Sequence, residues 1–172
     1  MAIQTVGVVG CGLMGSGIAH ISAEAGYKTI VRETTPELLA KGRAKLEGFL
    51  KKAVEKGKST PEQLAATLSR LVWTTKIEDL APCDLVVEAI IENMGAKQEL
   101  FRALDALCAP HAVFSSNTSS LAVGDMAAST SAARRSRFVG LHFFNPVPLM
   151  KLVEVVRSPL TETNVVIRRL PV

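Results

Sequence analysis

Aromatic residues are scarce, at 5% of 172, and they do not interleave with the basic side chains. That pattern gives no support to nucleic-acid binding. Apart from Arg134, Arg135 and Arg137, the lysines and arginines are spread along helix-like segments rather than gathered in a block. A formal charge of +4 suits a small, phosphate-rich ligand at least as well as a polyanion. No apolar run reaches the ~18 residues of a membrane helix, so no membrane partner is expected. Strand-like sequence begins at Ile3, which leaves no stretch that reads as a signal or transit peptide, and a cytoplasmic protein is expected. Cysteine is rare too. Cys11, Cys83 and Cys108 are odd in number and fit neither a zinc site nor a disulfide framework. They are expected to be reduced and buried, with no metal bound.

Hydrophobic residues at 48% and charged residues at 21% suit a single domain with a core of useful size. Thr5 to Val9 is a short apolar run ending at glycines, and it reads as a buried parallel strand. A helix is expected from about Gly15 to Ala25, closed by Gly26, with a second strand from Lys28 to Arg32. Thr34-Thr-Pro-Glu37 opens a long helix with an apolar face of Leu38, Leu39, Leu46, Phe49, Leu50 and Ala53, ending at Gly57. Thr60-Pro-Glu-Gln63 opens a shorter one. Strands follow at Val72–Thr74, Leu85–Ala89 and Val113–Ser115, with a helix from about Lys97 to Cys108. Phe138–Phe144 and Leu152–Val156 are further strand-like runs. Strands alternating with helices predict an α/β fold. It should be Rossmann-type and doubly wound, with a mainly parallel sheet and a helical hairpin inserted after the second strand.

Gly10-Cys11-Gly12-Leu13-Met14-Gly15 is a G-x-G-x-x-G motif with a strand before it and a helix after it. Gly10 permits the tight turn, Gly12 lets a pyrophosphate approach the backbone, and Gly15 lets helix and strand pack closely. The helix start offers free N–H groups to phosphate. Glu33 lies eighteen residues after Gly15, at the end of the second strand. A carboxylate there accepts ribose hydroxyls and repels a 2′-phosphate, which points to NAD rather than NADP. Arg32 beside it is the opposing signal.

Rossmann sheets bind ligands beyond the carboxyl ends of their strands. The turns Glu88–Asn93 and Ser115–Ser120, with Lys97, should therefore face the nicotinamide. Ser120 reads more simply as a cap of the next helix. His142 sits in an apolar strand-like run, followed by Asn145 and two prolines. Twelve residues on, Glu154 lies in a second apolar run, where a buried carboxylate would need a partner. A strand, a turn and a returning strand can pair the two, and a histidine held by a carboxylate suits a general base. His20 and His111 have no comparable setting.

The runs VGCGLMGSGIA, VVEAIIEN, SSNTSSL and LHFFNPVPLMKLVEVV, with Glu33, resemble the L-3-hydroxyacyl-CoA dehydrogenase family, including its 3-hydroxybutyryl-CoA members, from residue 3 to about residue 161. The resemblance implies NAD-dependent oxidation of an L-3-hydroxyacyl-CoA to the 3-oxoacyl-CoA, in fatty-acid β-oxidation or butanoate metabolism. It implies His142 as general base, Glu154 as its carboxylate partner and Ser119 at the substrate oxygen and the cofactor. Asn117 supports that loop, and Glu92, Lys97 and Asn145 contact cofactor. The hairpin covers CoA, with Lys56 touching it. A second CoA position, often serine, falls on Phe49. The family also has a helical second domain that supplies the homodimer interface and a catalytic asparagine, and none is expected within this sequence. The expected units are residues 1–161, carrying the NAD site and the His-Glu pair, and an atypical tail of residues 162–172. The 129–135 segment is a little longer than the family's usual loop. Two other readings stand beside this one: a relative acting on free hydroxy acids or sugar acids, and an NAD-binding fragment without turnover.

Overall fold

A computed structural model describes residues 3–167. Seven strands form one sheet: β1 (Thr5–Val9), β2 (Lys28–Arg32), β3 (Leu71–Thr74), β4 (Leu85–Glu88), β5 (Val113–Ser116), β6 (Phe138–Phe143) and β7 (Val153–Arg157). Their order is β3-β2-β1-β4-β5-β6-β7. The first six run parallel, and β7 returns antiparallel to β6. This is the Rossmann-type doubly wound sheet that the sequence predicts. The order reverses between β1 and β4, which opens a crevice beyond their carboxyl ends.

The strand residues alternate between two cores. Val6, Val8, Leu85 and Val87 pack with Ile18 and Ala19 of α1 (Leu13–Glu24) and with Leu46 and Leu50 of α2 (Pro36–Glu55). Val9, Val86 and Phe114 pack on the other face with Leu100, Phe101 and Leu104 of α4 (Met94–Leu107). Burial of both faces explains why β4 is apolar without interruption. The predicted hairpin is α2 with α3 (Pro61–Ser69), placed between β2 and β3. Thr35 caps α2 by accepting from the Leu38 N–H at 3.3 Å, and Thr60 with Gln63 forms a capping box on α3.

Several boundaries differ from expectation for physical reasons. α1 begins at Leu13 because Gly12, in extended conformation, is its N-cap. α4 begins at Met94 rather than near Lys97, because the Asn93 side chain accepts from the Ala96 N–H at 2.9 Å. β4 stops at Glu88, where the chain turns into the crevice. Only Gly42, Leu46 and Leu50 are buried on α2, while Leu38 and Phe49 wall clefts instead. Two short helices lie between β5 and β6: α5 (Val123–Ala128), the helix implied after the Ser115–Ser120 turn, and α6 (Ala132–Arg135), which has no counterpart in the sequence reading. They carry Arg134 into the end of α4, where it donates to the Cys108 carbonyl at 3.1 Å, the Ala109 carbonyl at 2.9 Å and Asp105 at 2.9 Å. The 129–135 segment is thus a clamp on α4.

β7 is an exposed edge. Val155 and Val156 are 39% and 43% accessible and Leu152 is 54%. A short helix, α7, covers Thr163–Ile167, and the last five positions of the expected tail lie outside the described residues.

Candidate functional site

The glycine turn is built as its spacing requires. Gly10 has φ +93°, and a Cβ there would stand 2.6 Å from the Ala89 carbonyl oxygen. A Cβ on Gly15 would fall 1.8 Å from the Gly10 carbonyl oxygen, so helix and turn touch backbone to backbone. Gly12 differs: a Cβ there would meet nothing within 4 Å. The fold does not need a glycine at this position, but a phosphate group lying on the backbone would. No side chain caps α1, so its first N–H groups are available to an anion. These features fit a dinucleotide pyrophosphate.

Glu33 is tied to this turn. One carboxylate oxygen accepts from the Cys11 N–H at 2.9 Å, and the other from the Thr34 N–H at 2.7 Å. It lines a cleft of about 680 Å³ with Gly10, Gly12, Arg32, Leu38 and Ile91, of a size suited to an adenosine half. Arg32 shares the cleft, and its Nε is buried without a partner among the described residues. Cys11 is buried, and burial first, then Glu33, pushes its thiol up to about 12. It therefore contributes backbone rather than a nucleophile. Cys83 and Cys108 are likewise free and buried, as expected of all three.

Beyond the crevice, β4, β5 and β6 present a polar cluster. Glu88 and Lys97 form a buried ion pair at 2.6 Å, and Lys97 also lies 3.2 Å from Glu92. Glu92 accepts hydroxyl hydrogen bonds from Thr118 and, at 3.2 Å, from Ser120. Burial pushes the Glu92 carboxyl up, but these donors and Lys97 outweigh it, and the net direction is down. Ser120 therefore serves Glu92 and not the next helix, whose N-cap is Ala122 with no side-chain bond. Asn117 donates its N–H to the Glu88 carbonyl at 2.8 Å and accepts from the Phe143 N–H at 2.9 Å, which locks the loop between β4 and β6.

His142 and Glu154 occupy opposed positions in the β6–β7 pair, and Nδ1 lies 2.8 Å from the carboxylate. One premise behind that pairing is corrected. Glu154 is not buried, since its side chain is 55% exposed on the edge strand. Strand register, not the cost of desolvation, brings the two together.

A pocket of about 350 Å³ gathers Met14, Glu92, Lys97, Asn117, Ser119, His142 and Asn145. Asn145 also borders a cleft of about 400 Å³ lined by Leu13, His20, Phe49 and Lys52. Lys56 lies beyond it, in a third cleft shared with Phe49, Lys52 and Lys58. The expected residues are thus divided: seven line the His142 pocket, Gly10, Gly12 and Glu33 line the larger cleft, Glu154 stands behind His142, and Lys56 lies in a separate cleft. Gly42 is a further contributor that the sequence does not reveal, and Glu88 and His20 take parts other than those their sequence setting suggests. A Cβ on Gly42 would lie 2.3 Å from the Cys11 sulfur, so this mid-helix glycine seats α2 on the glycine turn. His20 is buried and packs edge-on against Phe49, with ring centroids 5.4 Å apart, and burial holds its pKa down. His111 pairs with Asp84 at 3.1 Å, at the amino end of β4 and away from the pocket. Among the described residues no His, Cys, Asp and Glu cluster could hold a metal, and no helix is long and apolar enough to cross a membrane.

Residues 5–170 match the family described as "3-hydroxyacyl-CoA dehydrogenase, NAD binding domain". The chain is 43% identical over 161 residues to a probable 3-hydroxybutyryl-CoA dehydrogenase of Bacillus subtilis, covering 94% of this chain and 55% of the relative. It is 44% identical over 165 residues to the mitochondrial hydroxyacyl-coenzyme A dehydrogenase of Homo sapiens, covering 92% and 52%. The crystal structure of 3-hydroxybutyryl-CoA dehydrogenase from Escherichia coli superposes with a TM-score of 0.93 at 40% identity, covering 96% of this chain and 35% of that one. The chain spans about half the length of the curated relatives it matches.

Proposed function

The chain belongs to the 3-hydroxyacyl-CoA dehydrogenase family as its NAD-binding domain, and on that premise we propose that it serves the NAD-dependent oxidation of L-3-hydroxyacyl-CoA, such as 3-hydroxybutyryl-CoA, to 3-oxoacyl-CoA. The observation that carries this reading is the His142–Glu154 pair at 2.8 Å, with His142 lining the pocket that also holds Ser119. Residues 1–161 are the working unit, with the remainder a tail. Acyl-CoA is the partner, neither nucleic acid nor membrane takes part, longer relatives pair as homodimers, and the setting is cytoplasmic.

NAD, when bound, supplies the acceptor for the hydride that leaves C3 of the substrate. Gly10, Gly12, Gly15 and the start of α1 hold the pyrophosphate, with Cys11, Leu13 and Met14 completing the turn. Glu33 holds the adenosine ribose. Glu92, Lys97, Asn117 and Asn145 line the nicotinamide side. Ser119 hydrogen-bonds the 3-oxygen. Because Nδ1 of His142 donates to Glu154, Nε2 is the atom free to take the hydroxyl proton. Glu154 then stabilises the imidazolium while the C–O bond becomes a carbonyl. Lys52, Lys56 and Lys58 share one cleft, and three ammonium groups there suit the phosphates of CoA.

By itself, the 172-residue polypeptide should bind NAD but turn over slowly. Leu149, Met150 and Leu152, in the connection from β6 to β7, are 61%, 44% and 54% exposed, an apolar surface that is left uncovered and does not help to fix the acyl chain. The test is NADH formation from 3-hydroxybutyryl-CoA, compared with free 3-hydroxybutyrate. Equal rates on the two substrates would move the reading to a dehydrogenase of free hydroxy acids. NAD binding with no turnover of either would favour a non-catalytic binding module.

A further inference from the structure

Three charged side chains form one cluster, and two of them line the pocket. Glu88 is 0% and Lys97 1% exposed, and they meet at 2.6 Å. Glu88 also receives the Ile90 N–H at 2.7 Å and the Ser116 hydroxyl at 2.5 Å, so both of its oxygens are occupied by protein donors. Glu92, 3.2 Å from the same ammonium, is 43% exposed and lines the pocket. Two carboxylates share one lysine. Across the pocket stands His142, with Glu154 behind it. The other polar lining groups, Asn117, Ser119 and Asn145, are neutral.

Burying a complete ion pair is costly unless its geometry is good, and two apolar side chains could fill the same space. The pair has one electrostatic consequence in this pocket. With Glu88 neutralising Lys97, the charge of Glu92 is left over.

We propose that Glu88, Lys97 and Glu92 set a net charge of minus one beside the nicotinamide, and so favour its oxidised, cationic ring over the reduced, neutral one. This rests on the dinucleotide reading above. The two redox forms differ by one unit of charge at the ring and little in shape, so a fixed charge nearby discriminates between them directly. Glu92 is part-exposed, and water and salt weaken the effect to about three- to tenfold in relative affinity. Glu88 is then a positioning residue. It touches no ligand, but without it Lys97 would cancel Glu92.

The test is the ratio of NAD⁺ to NADH affinity, with each Kd measured by titration of the 172-residue chain. Glu88→Gln and Glu92→Gln each bring the count to zero, and each should lower the ratio by about three- to tenfold, mainly by weakening NAD⁺. Glu88→Gln/Lys97→Met returns the count to minus one, and its ratio should come back to within about twofold of the parent. A purely structural role would weaken both forms in parallel and leave the ratio unmoved. That result overturns the proposal, as does a double variant that stays with the single ones. Thermal melts accompany each titration. If Glu88→Gln fails to fold, Glu92→Gln at its part-exposed position and the charge-balanced double variant still decide the matter. If the parent chain binds neither form, the dinucleotide reading falls together with this one. If it binds both and no ratio changes, only this one falls.

Discussion

Glu154 stands directly across the antiparallel β6–β7 pair from His142, and a single rung of the ladder joins its carboxylate to Nδ1 at 2.8 Å. The carboxylate fixes the ring orientation and the tautomer together. It leaves Nε2 of this pocket-lining histidine as the nitrogen able to accept a proton.

His142→Gln should therefore reduce turnover of 3-hydroxybutyryl-CoA by about 10²–10⁴-fold, the usual worth of proton transfer by a positioned side chain. NAD affinity should stay within about twofold, since the histidine acts on the substrate. Glu154→Gln should cost less, because the ring remains. Steady-state rates with NAD titrations check both. A His142 variant that keeps most of its kcat would return this residue to a packing role.

Gly12→Ala and Gly15→Ala should separate binding from folding. An added methyl at Gly12 meets nothing in the protein, so its Tm should hold or rise slightly, while NAD affinity falls at least about tenfold. At Gly15 the methyl collides with the Gly10 carbonyl, and the variant should lose about 1–3 kcal/mol or more of stability. Melting curves and NAD titrations of both proteins are the measurement. Equal NAD affinity in Gly12→Ala and the parent would remove the pyrophosphate from this turn.

NAD should bind at least about tenfold more tightly than NADP, because a 2′-phosphate would meet the Glu33 carboxylate. Glu33→Gln should narrow the gap. Calorimetric titration of the two dinucleotides decides it, and equal binding by the parent would show that Arg32, in the same cleft, prevails over Glu33.

Acid should unfold the protein partly through Asp84 and Asp105. Burial raises both carboxyls. The Gln4 and Thr5 N–H groups with His111 outweigh this at Asp84, as Ser131 and Arg134 do at Asp105, and both end below the usual range. A folded pKa below the unfolded one gives stability that is fully present above the ordinary carboxylate pKa of about 4. That stability is lost as pH falls through the depressed value. Asp84→Asn should thus be less stable at neutral pH and show a shallower loss of Tm between about pH 5 and pH 2. Parallel Tm profiles for variant and parent would exclude Asp84 as a source of the acid sensitivity.

The parts of this fold that are legible in the sequence are those written locally. Gly10, Gly12 and Gly15 stand at fixed spacing between a strand and a helix, and Glu33 ends the next strand. His142 and Glu154 are separated by a turn that forces the chain back. Glu88 was illegible as an anchor, because an acid closing an apolar strand does not reveal that a lysine nine residues later will meet it in the interior. Gly42 reads as a weak point in a helix, and only the packing of α2 on Cys11 gives it a purpose. α5 and α6 are too short for any periodicity to show, and they exist to deliver Arg134 to its carbonyls. The spacing of Glu154 and His142 makes their pairing legible, whereas the exposure of Glu154 on the edge strand is not.

The His142–Glu154 rung also divides the hairpin into a part that can change and a part that cannot. Side chains on a strand alternate in direction, so sliding β7 by one position would turn Glu154 to the opposite face of the sheet and put a valine across from His142. The connection between the strands is under no such constraint beyond Asn145 and the prolines that border the pocket. Added residues near Met150 and Lys151, both exposed, would lengthen a loop while every rung stayed in place. One residue added between Val153 and Glu154, with the Phe143–Val153 rung kept, would disconnect the base from its acid, whereas one added past Glu154 would leave that rung in place. A scan of single-residue insertions along this hairpin would therefore lose activity where the insertion displaces Glu154 from its rung, and keep it in the connection before β7.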